Sequence, residues 1–351
     1  MKVLYLTKYS RKGASSRLRS YQYFPFLEAA DIYVTVKPFF DEYYIDMIYA
    51  KKKINPFKLL RYYFSRFLTL LTLSKYDKIV IEKELFPYFF SWFERILHLL
   101  HINYIVDYDD AIFHNYDLSK NKIISMFLKN KIYNVMKFSH CVVAGNNYLA
   151  EKAKKAGAKN IKIIPTVIDT NKYQVKDDYN SNLVVIGWIG SPTTFQYLQS
   201  IMPILEHLTK NYNCEIHIVG AKAIGVTYHS SVKFIDWNEK EEVSFIKDFD
   251  IGIMPLNNTP WDLGKCSYKL IQYMGCGLPV IASAVGMNKE VVETGKNGYL
   301  VSDISQWEIY LIRLIESSVL RKQMGTNGRK KVETYFNVAQ KANEWISLLK
   351  S

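Results

Sequence analysis

The chain has 351 residues, of which 49% are hydrophobic, 15% aromatic and 23% charged. This composition supplies enough apolar material for about two packed domains, and it excludes a disordered or low-complexity protein. The net charge is +13, and the excess lies entirely in residues 1–175, which hold 28 Lys and Arg against 15 Asp and Glu, so an acidic partner is expected there.

The cysteines and the N-terminus indicate the compartment. Cys141, Cys214, Cys266 and Cys276 are scattered without CxxC spacing, which predicts reduced, buried thiols. The opening MKVLYLTKYS is typical of a first core strand rather than a signal peptide. Because no apolar stretch approaches the roughly 20 residues that cross a bilayer, we expect a cytoplasmic protein, soluble or peripheral on the inner face of the cell membrane.

Short runs rich in Val and Ile alternate with helix-length segments along the first half. This alternation predicts a parallel sheet with helices on both faces. The predicted strands are 2–7, 31–36, 78–81, 103–107, 140–144 and 161–164, and the predicted helices are 17–29, 56–73, 87–100, 118–138 and 146–156.

The pattern restarts after residue 180, which predicts a second domain of the same α/β type. We therefore expect an N-terminal domain over 1–170, a linker over 171–181 and a C-terminal domain over 182–335. In such doubly wound sheets, ligands bind beyond the carboxyl ends of the strands, and two facing domains create a cleft. The predicted strands are 182–188, 214–219, 232–235, 250–254, 278–282 and 298–301, and the helices are 192–210, 239–247, 267–275, 304–318 and 338–349.

A glycine-containing turn follows the first strand of the second domain. The chain lacks GxGxxG after either opening strand and lacks GxxxxGK[ST] throughout, which argues against a dinucleotide dehydrogenase and a P-loop NTPase. Instead it reads GWIGSPTT, and we expect a helix to begin near Pro192 and to offer free amides to phosphate. The candidate ligands there are Gly190, Ser191, Thr193 and Thr194.

A longer signature, DIGIMPLNNTPWDLGKCSYKLIQYMGCGLPVIASAVG, spans 250–286. A buried strand leads into a polar loop and then into a helix starting near Ser267, which is itself a candidate donor ligand. Lys265 and Lys269 fall at the start of this helix, where a diphosphate gains both the helix dipole and point charges. Gln272, one turn later, can hydrogen-bond the vicinal hydroxyls of a ribose.

These segments resemble retaining GT-B glycosyltransferases of family 4. The resemblance implies two Rossmann-like domains, with a C-terminal helix over 336–351 returning to the N-terminal domain. It also implies transfer from a nucleotide-diphosphate sugar, with a UDP-sugar favoured, to a lipid-linked or surface-polysaccharide acceptor, without a metal or other cofactor. The motifs are GKCSYKLIQYMGCGLPVIAS, IGWIGSPTT, Val219-Gly220, Trp237, SSRLRSYQYFPFLE, EKELFP, DYDDAIF, AGNNYLA and IPTVID.

The same resemblance assigns roles and shows departures. Trp237 is expected near the base, Gln272 near the ribose, and Gly220 among the donor ligands. The family's Glu-x7-Glu motif falls on Gly264 and Gln272, so Asp262 is the nearest carboxylate for the donor sugar. Many relatives grip the diphosphate with an Arg/Lys pair after the domain's first strand. GSPTTFQYL has neither residue, so Lys265 and Lys269 are expected to take that role.

In the N-terminal half, GASSRLR follows the first strand, and we expect Gly13, Arg17 and Arg19 to hold a phosphate-bearing substrate. The strand ending in DYDD directs acids to the same edge. Asp109, Asp110 and His114 are the catalytic candidates, acting by general-base or electrostatic assistance to an acceptor hydroxyl. The alternative, that Asp107-x-Asp109 is a metal-binding DxD of a GT-A enzyme, fits poorly because the donor-like motifs lie about 150 residues later.

Residues 51–73 mix basic and aromatic side chains at helical spacing, which suits an anionic membrane surface; an amphipathic helix covering the sheet is the alternative. No recognition motif supports nucleic acid as the acidic partner. Two rival functions remain open at this point. One is a sugar-nucleotide 2-epimerase of the same architecture, and the other is a non-catalytic nucleotide-sugar-binding subunit.

Overall fold

A computed structural model describes residues 1–50, 52–223 and 227–351. The chain forms two compact units. Unit 1 comprises Met1–Thr166, Gly264–Cys266 and Val338–Ser351, and unit 2 comprises Val167–Leu263 and Ser267–Asn337. The expected linker, 171–181, is thus part of unit 2. Although this segment is mostly polar, two of its side chains, Tyr173 and Tyr179, are buried.

Unit 1 is built around a parallel sheet with strand order β2-β1-β3-β4-β5-β6 in the described chain. β1, β3, β4 and β5 are almost wholly buried, as expected for Val- and Ile-rich strands covered on both faces. The elements in chain order are β1 (Lys2–Leu6), α1 (Ala14–Arg19), α2 (Phe24–Glu28), β2 (Tyr33–Val36), α3 (Glu42–Tyr49), α4 (Pro56–Leu70), β3 (Lys78–Glu82), α5 (Trp92–Leu99), β4 (Tyr104–Tyr108), α6 (His114–Asp117), α7 (Lys122–Leu128), α8 (Lys131–Phe138), β5 (Cys141–Ala144), α9 (Asn147–Ala156) and β6 (Ile161–Ile163).

Unit 2 repeats the arrangement, with parallel strand order β12-β11-β10-β7-β8-β9. Its elements are β7 (Val184–Ile189), α10 (Phe195–Gln199), α11 (Met202–Asn211), β8 (Cys214–Val219), β9 (Val232–Ile235), α12 (Glu242–Lys247), β10 (Ile251–Met254), α13 (Pro260–Leu263), α14 (Tyr268–Gly275), β11 (Val280–Ser283), α15 (Asn288–Val291), β12 (Gly298–Val301), α16 (Ser305–Glu316) and α17 (Ser318–Tyr335).

The last helix, α18 (Val338–Lys350), belongs to unit 1, which confirms the predicted return of the C-terminus to the N-terminal part of the chain. Trp345 anchors it. The indole is fully buried, with its ring centroid 6.4 Å from that of Tyr5 and 6.1 Å from that of Tyr23. An aromatic side chain of this size contributes a large apolar area to the unit 1 core.

The predicted strands are all present, but several predicted helices are divided. The segment 17–29 is broken at Ser20, and 118–138 contains α7 and α8 as separate helices. The segment 192–210 breaks between α10 and α11, where Pro203 occupies the first turn of α11. None of the helices among the described residues is long and apolar enough to cross a membrane.

Candidate functional site

In unit 2, two glycines and one lysine converge beyond the ends of β7 and β8. A Cβ added to Gly190 would lie 2.5 Å from the Trp188 ring and 2.6 Å from Lys269 Nζ. Gly220 has φ +85°, and a Cβ there would lie 2.2 Å from the carbonyl oxygen of Gly190. Gly220 therefore needs glycine for its left-handed backbone and for close backbone approach, whereas glycine at 190 leaves room for the Trp188 ring and for the positive charge of Lys269.

Lys269 lies in the first turn of α14, with its ammonium 4.1 Å from the centroid of the Trp188 ring. The buried indole fixes the position of the ammonium by a cation–π contact. A lysine ammonium with three donors, held beside two half-buried glycines at the ends of two strands, is suited to a diphosphate. This arrangement is what we call the Lys269 site, comprising Gly190, Gly220 and Lys269.

The hydroxyl-bearing turn beside it differs from the expectation. Ser191–Thr194 form a turn closed by Thr194 Oγ1, which accepts from Ser191 N at 3.1 Å, and Ser191 Oγ lies 2.8 Å from Thr193 Oγ1. The helix begins at Phe195 rather than near Pro192, and it has only five residues. The predicted contribution of a long helix dipole at this turn is therefore wrong, and the hydroxyls remain the candidate ligands.

Two other donor candidates have structural partners. The Asp262 carboxylate accepts from Tyr197 Oη at 2.5 Å and from Thr259 Oγ1 at 2.6 Å, and it is buried. It thus closes the turn that begins α13, and its expected role at the donor sugar stays a prediction. Ser267, also buried, donates its hydroxyl to Asn288 Oδ1 at 2.7 Å and adopts φ +53° before α14.

Trp237 and Gln272, expected at the base and the ribose, are joined through Glu242. The indole Nε1 of Trp237 donates to Glu242 Oε2 at 2.8 Å, and Gln272 Nε2 donates to Glu242 Oε1 at 2.7 Å. Trp237 is 40% exposed, whereas Gln272 is buried. The structure therefore brings these two predicted residues together around a carboxylate that the sequence did not single out.

In unit 1, a buried charge cluster lies at the carboxyl ends of β3 and β4. Lys83 Nζ is 2.9 Å from Asp109 Oδ1 and 2.9 Å from Ser15 Oγ, and Ser15 Oγ is in turn 2.5 Å from Asp109 Oδ2. Glu82 accepts from Ser16 Oγ at 2.6 Å. Lys83 has φ +70°, a left-handed conformation that is costly for a lysine and is typical of functional sites.

The two adjacent aspartates differ in basicity. Burial acts to raise the pKa of Asp109, but the ion pair with Lys83 and the hydrogen bond from Ser15 outweigh it and lower the pKa to about 2. For Asp110, burial raises the pKa above its ordinary value even though Lys265 Nζ lies 3.0 Å from Oδ2. Since a base needs appreciable proton affinity, the opposite directions of these two pKa shifts favour Asp110 as the candidate for a general base.

Lys265 belongs to unit 1 together with its neighbours Gly264 and Cys266, whereas Lys269 belongs to unit 2. The Asn146 side chain donates to the carbonyl oxygens of Gly264 at 3.0 Å and Lys265 at 3.1 Å. A Cβ at Gly264 would lie 2.7 Å from the backbone nitrogen of Ala111. This contact explains why no glutamate can occupy the position of the motif's first glutamate.

The remaining unit 1 candidates have mainly structural surroundings. Arg19 is 1% exposed and forms a bidentate pair with Asp107, from Nε to Oδ2 at 3.0 Å and from Nη2 to Oδ1 at 2.5 Å. Its guanidinium is therefore engaged inside unit 1, which argues against the expectation that it holds a phosphate. The ring nitrogens of His114 lie 2.8 Å from Asp117 Oδ1 and 2.9 Å from Tyr148 Oη.

Gly13 and Arg17 lie on the loop and helix after β1. A Cβ at Gly13 would lie 2.5 Å from the Cβ of Tyr9, so the tight loop requires glycine there. Arg17 is half-buried on α1. The expectation that Arg17 holds a phosphate-bearing substrate stays a prediction.

Sequence reasoning overlooked Ser15, Lys83 and Glu242. Ser15 and Lys83 stand inside the quoted segments SSRLRSYQYFPFLE and EKELFP. Their importance follows from the left-handed backbone and the contacts across β1, β3 and β4, which no local pattern reports. Glu242 follows Trp237 by five residues, and this proximity was the available signal.

Two parallel-sheet units of this type, one carrying the Lys269 site, define a GT-B fold. Residues 180–317 match the family model of the glycosyl transferases group 1. This part of the chain, in unit 2, is thus similar to the group 1 glycosyltransferases.

Three relatives are similar to parts of this chain. Spore coat protein SA of Bacillus subtilis is 32% identical over 121 residues, covering 31% of this chain and 32% of that protein, so the alignment spans about a third of that relative. An uncharacterized glycosyltransferase of Methanocaldococcus jannaschii, MJ1069, is 27% identical over 72% of this chain and 67% of its own length. The capsular polysaccharide biosynthesis glycosyltransferase CapM of Staphylococcus aureus is 23% identical over 61% of this chain and 60% of its own length.

Solved structures share the fold over the whole chain. Sucrose-phosphate synthase of Thermosynechococcus elongatus gives a TM-score of 0.73 at 14% identity, covering 100% of this chain and 98% of that one. HepE of Anabaena, in complex with UDP-glucose, gives 0.72 at 17% identity, covering 99% and 98%. At these identities the likeness establishes the fold.

Proposed function

We propose that the protein is a retaining glycosyltransferase that moves a sugar from a nucleotide-diphosphate sugar, with a UDP-sugar favoured, to a lipid-linked or surface-polysaccharide acceptor. The observation that carries this proposal is the Lys269 site, in which two closely packed glycines and a fixed ammonium meet beyond the strand ends of the domain that matches the group 1 glycosyltransferase model. The UDP-glucose complex of HepE supports a uridine donor. The name of CapM supports a capsule-like glycan as acceptor.

The proposed step breaks the bond between C1 of the sugar and the diphosphate oxygen, and it forms a bond between C1 and the acceptor oxygen on the same face. The electron pair leaves with the diphosphate, whose growing charge Lys269 stabilises. The acceptor hydroxyl gives its proton to Asp110. Because the Lys269 ammonium stabilises the leaving group, the proposed reaction needs no metal.

An Asp110→Asn variant tests the assignment of the base. We expect turnover on the acceptor to fall by about 10²–10⁴ because general-base assistance is lost, while the affinity for the donor stays within about twofold. Nucleotide release and the anomeric configuration of the product, read by NMR, are the measurements. Asp46→Asn, on the exposed face of α3, is the matched control.

Several results would contradict this proposal. Inversion at C1 would rule out retention, and interconversion of the free sugar nucleotide without an acceptor would indicate an epimerase. Binding of a nucleotide sugar without turnover, over a broad panel of lipid-linked and glycan acceptors, would indicate a binding subunit. Equal transfer by wild type and by Asp110→Asn would remove Asp110 from the mechanism.

We further propose that α4 of unit 1 rests on an anionic membrane. Phe57 is 84% exposed, Leu60 68% and Phe64 60%, and the exposed Arg61 and half-buried Lys58 lie among them. Exposed aromatic and aliphatic side chains beside basic ones suit the headgroup region of anionic lipids. Of the predicted segment 51–73, Lys51 lies outside the described residues.

One basic residue of this segment is not part of that surface. Arg66 is buried and donates to the carbonyl oxygens of Thr7 at 3.0 Å and Lys37 at 3.1 Å, so it fixes α4 to the loops that follow β1 and β2. Burial lowers the pKa of this guanidinium to about 9. Its role is thus to position the helix rather than to meet lipid.

The membrane proposal predicts the behaviour of a Leu60→Glu/Phe64→Glu variant. We expect at least a tenfold loss of partition onto phosphatidylglycerol vesicles, since each apolar side chain loses about 1.5–3 kcal/mol of burial and gains a like charge. Vesicle co-sedimentation is the measurement. Ile309→Glu/Val319→Glu places the same charges on exposed apolar sites of unit 2 and should bind like wild type. Equal partition of the two double variants would contradict the proposal.

A further inference from the structure

Four side chains of unit 2 form a hydrogen-bonded group around the Glu242 carboxylate. Glu242 Oε2 accepts from Trp237 Nε1 at 2.8 Å, and Glu242 Oε1 accepts from Gln272 Nε2 at 2.7 Å. Gln272 Nε2 also donates to Tyr173 Oη at 2.9 Å. Gln272 and Tyr173 are buried, whereas Trp237 is 40% exposed, so the group runs from the interior of the unit to its surface.

The chemistry of the partners fixes the orientation of the Gln272 amide. An ionised carboxylate only accepts hydrogen bonds, so Glu242 requires the NH₂ end of the amide and would repel its oxygen. Gln272 thereby uses both of its N–H donors in hydrogen bonds to Glu242 and Tyr173. A glutamate at position 272 would instead place a second carboxylate against Glu242. The neutral amide at 272 is therefore matched to a carboxylate at 242.

The Glu242 carboxylate has the chemistry and the place to bind vicinal hydroxyls. Its two oxygens, oriented by two N–H donors, can accept from the two adjacent O–H groups of a sugar diol. Gln272 stands three residues after Lys269 on α14, so the two side chains are neighbours one turn apart on the same helix. In a nucleoside diphosphate the ribose is bonded directly to the diphosphate, so a diphosphate at Lys269 places the ribose nearby. The partly exposed indole of Trp237 offers a face on which the nucleotide base can stack.

We infer that Glu242 is the residue that binds the ribose 2′- and 3′-hydroxyls of the donor nucleotide, and that Gln272 is a positioning residue that holds the Glu242 carboxylate. The inference rests on the proposed function, since it names the residue that recognises the nucleotide. It gives the departure of Gln272 from the family's glutamate a physical reason: the carboxylate stands on α12 instead of α14. Loss of the glutamate at 272 is then no sign of a decayed site.

The experiment compares a ribonucleotide with its 2′-deoxy analogue. Calorimetric titration of wild type with UDP, GDP and ADP identifies the nucleotide that binds, and the 2′-deoxy form of that nucleotide is then titrated. We expect wild type to bind the 2′-deoxy form about tenfold or more weakly, because a hydrogen bond to a charged group is lost. In Glu242→Gln the affinity for the ribonucleotide should fall by a similar factor, and the ratio of the Kd of the 2′-deoxy form to the Kd of the ribonucleotide should fall towards one.

Two further variants separate recognition from positioning. Glu241→Gln removes the same charge one residue earlier, on an exposed side chain, and should keep the wild-type ratio. The exchange variant Glu242→Gln/Gln272→Glu keeps one carboxylate and one amide in the pair. It should recover the preference for the ribonucleotide over its 2′-deoxy form, which Gln272→Glu alone should lack. Circular dichroism and the unfolding temperature check that each variant is folded.

The outcomes are distinct. If wild type binds none of the three nucleotides, the proposed function fails and the inference fails with it. If wild type binds and discriminates, and folded Glu242→Gln keeps the same ratio, the inference alone is overturned. A folded exchange variant that recovers no discrimination would overturn the positioning role of Gln272.

Discussion

Replacing Lys269 by methionine is expected to lower donor turnover, as kcat/KM, by about 100- to 1,000-fold. The ammonium is the charge closest to Gly190, and losing one preorganised group that stabilises a leaving group carries a cost of this size. The methionine keeps the length and apolar stem of the side chain, so its contact with Trp188 is largely retained. Steady-state kinetics with the nucleotide sugar, together with a titration of the nucleoside diphosphate, measures the effect.

A matched lysine is available as a control. Lys210 is exposed near the end of α11, and Lys210→Met should leave both turnover and nucleotide affinity unchanged. Lys269→Arg keeps the charge and should retain more activity than Lys269→Met. Equal loss in Lys269→Met and Lys210→Met, or no loss in either, would show that the Lys269 site does not hold the diphosphate.

Arg19→Met is expected to destabilise unit 1 by about 3–5 kcal/mol. The substitution leaves the Asp107 carboxylate buried without its bidentate partner, and an uncompensated buried charge has a cost of this order. Arg19 Nη1 also donates to the carbonyl oxygen of Ile164 at 2.7 Å, a bond that is lost as well. Urea unfolding followed by far-UV circular dichroism measures the change in the free energy of unfolding.

Arg17→Met, on the same helix but half-buried, is the matched control and should cost less than about 1 kcal/mol. The variant Arg19→Met/Asp107→Leu removes both charges and should recover much of the stability. If Arg19→Met were as stable as Arg17→Met, Arg19 would not be paired in the core, and its expected role in binding phosphate would return.

The strands were predictable from the sequence because each buried parallel strand is a short run of Val, Ile and neighbouring apolar residues. β4, for instance, is buried at all five positions. α17 was missed. Its 18 residues are largely polar and include Gly325 and Gly328, which ordinarily disfavour a helix. In the structure a Cβ at Gly325 would lie 1.7 Å from the carbonyl oxygen of Gly277, so tertiary packing explains that glycine.

The candidate site was predictable in part for a similar reason. Glycines and a lysine after strand ends are local signals, and they led to Gly190, Gly220 and Lys269. Whether an arginine faces solvent or an aspartate depends on contacts between distant segments, as for Arg19 with Asp107, 88 residues away. Glu242 was overlooked for the same reason, because its contact with Gln272 joins residues 30 positions apart in the sequence.

The central claim is that unit 2 binds a nucleotide-diphosphate sugar. A thermal-unfolding panel with UDP-, GDP-, CMP- and ADP-sugars, NAD and short DNA, each with and without EDTA, tests it most directly. A ligand at about 100 times its Kd adds about 2.7 kcal/mol, so we expect one nucleotide class to raise the unfolding temperature of wild type by a few degrees, regardless of EDTA, and to leave Lys269→Met unshifted. No shift with any nucleotide sugar, or a shift with DNA alone, would contradict the account.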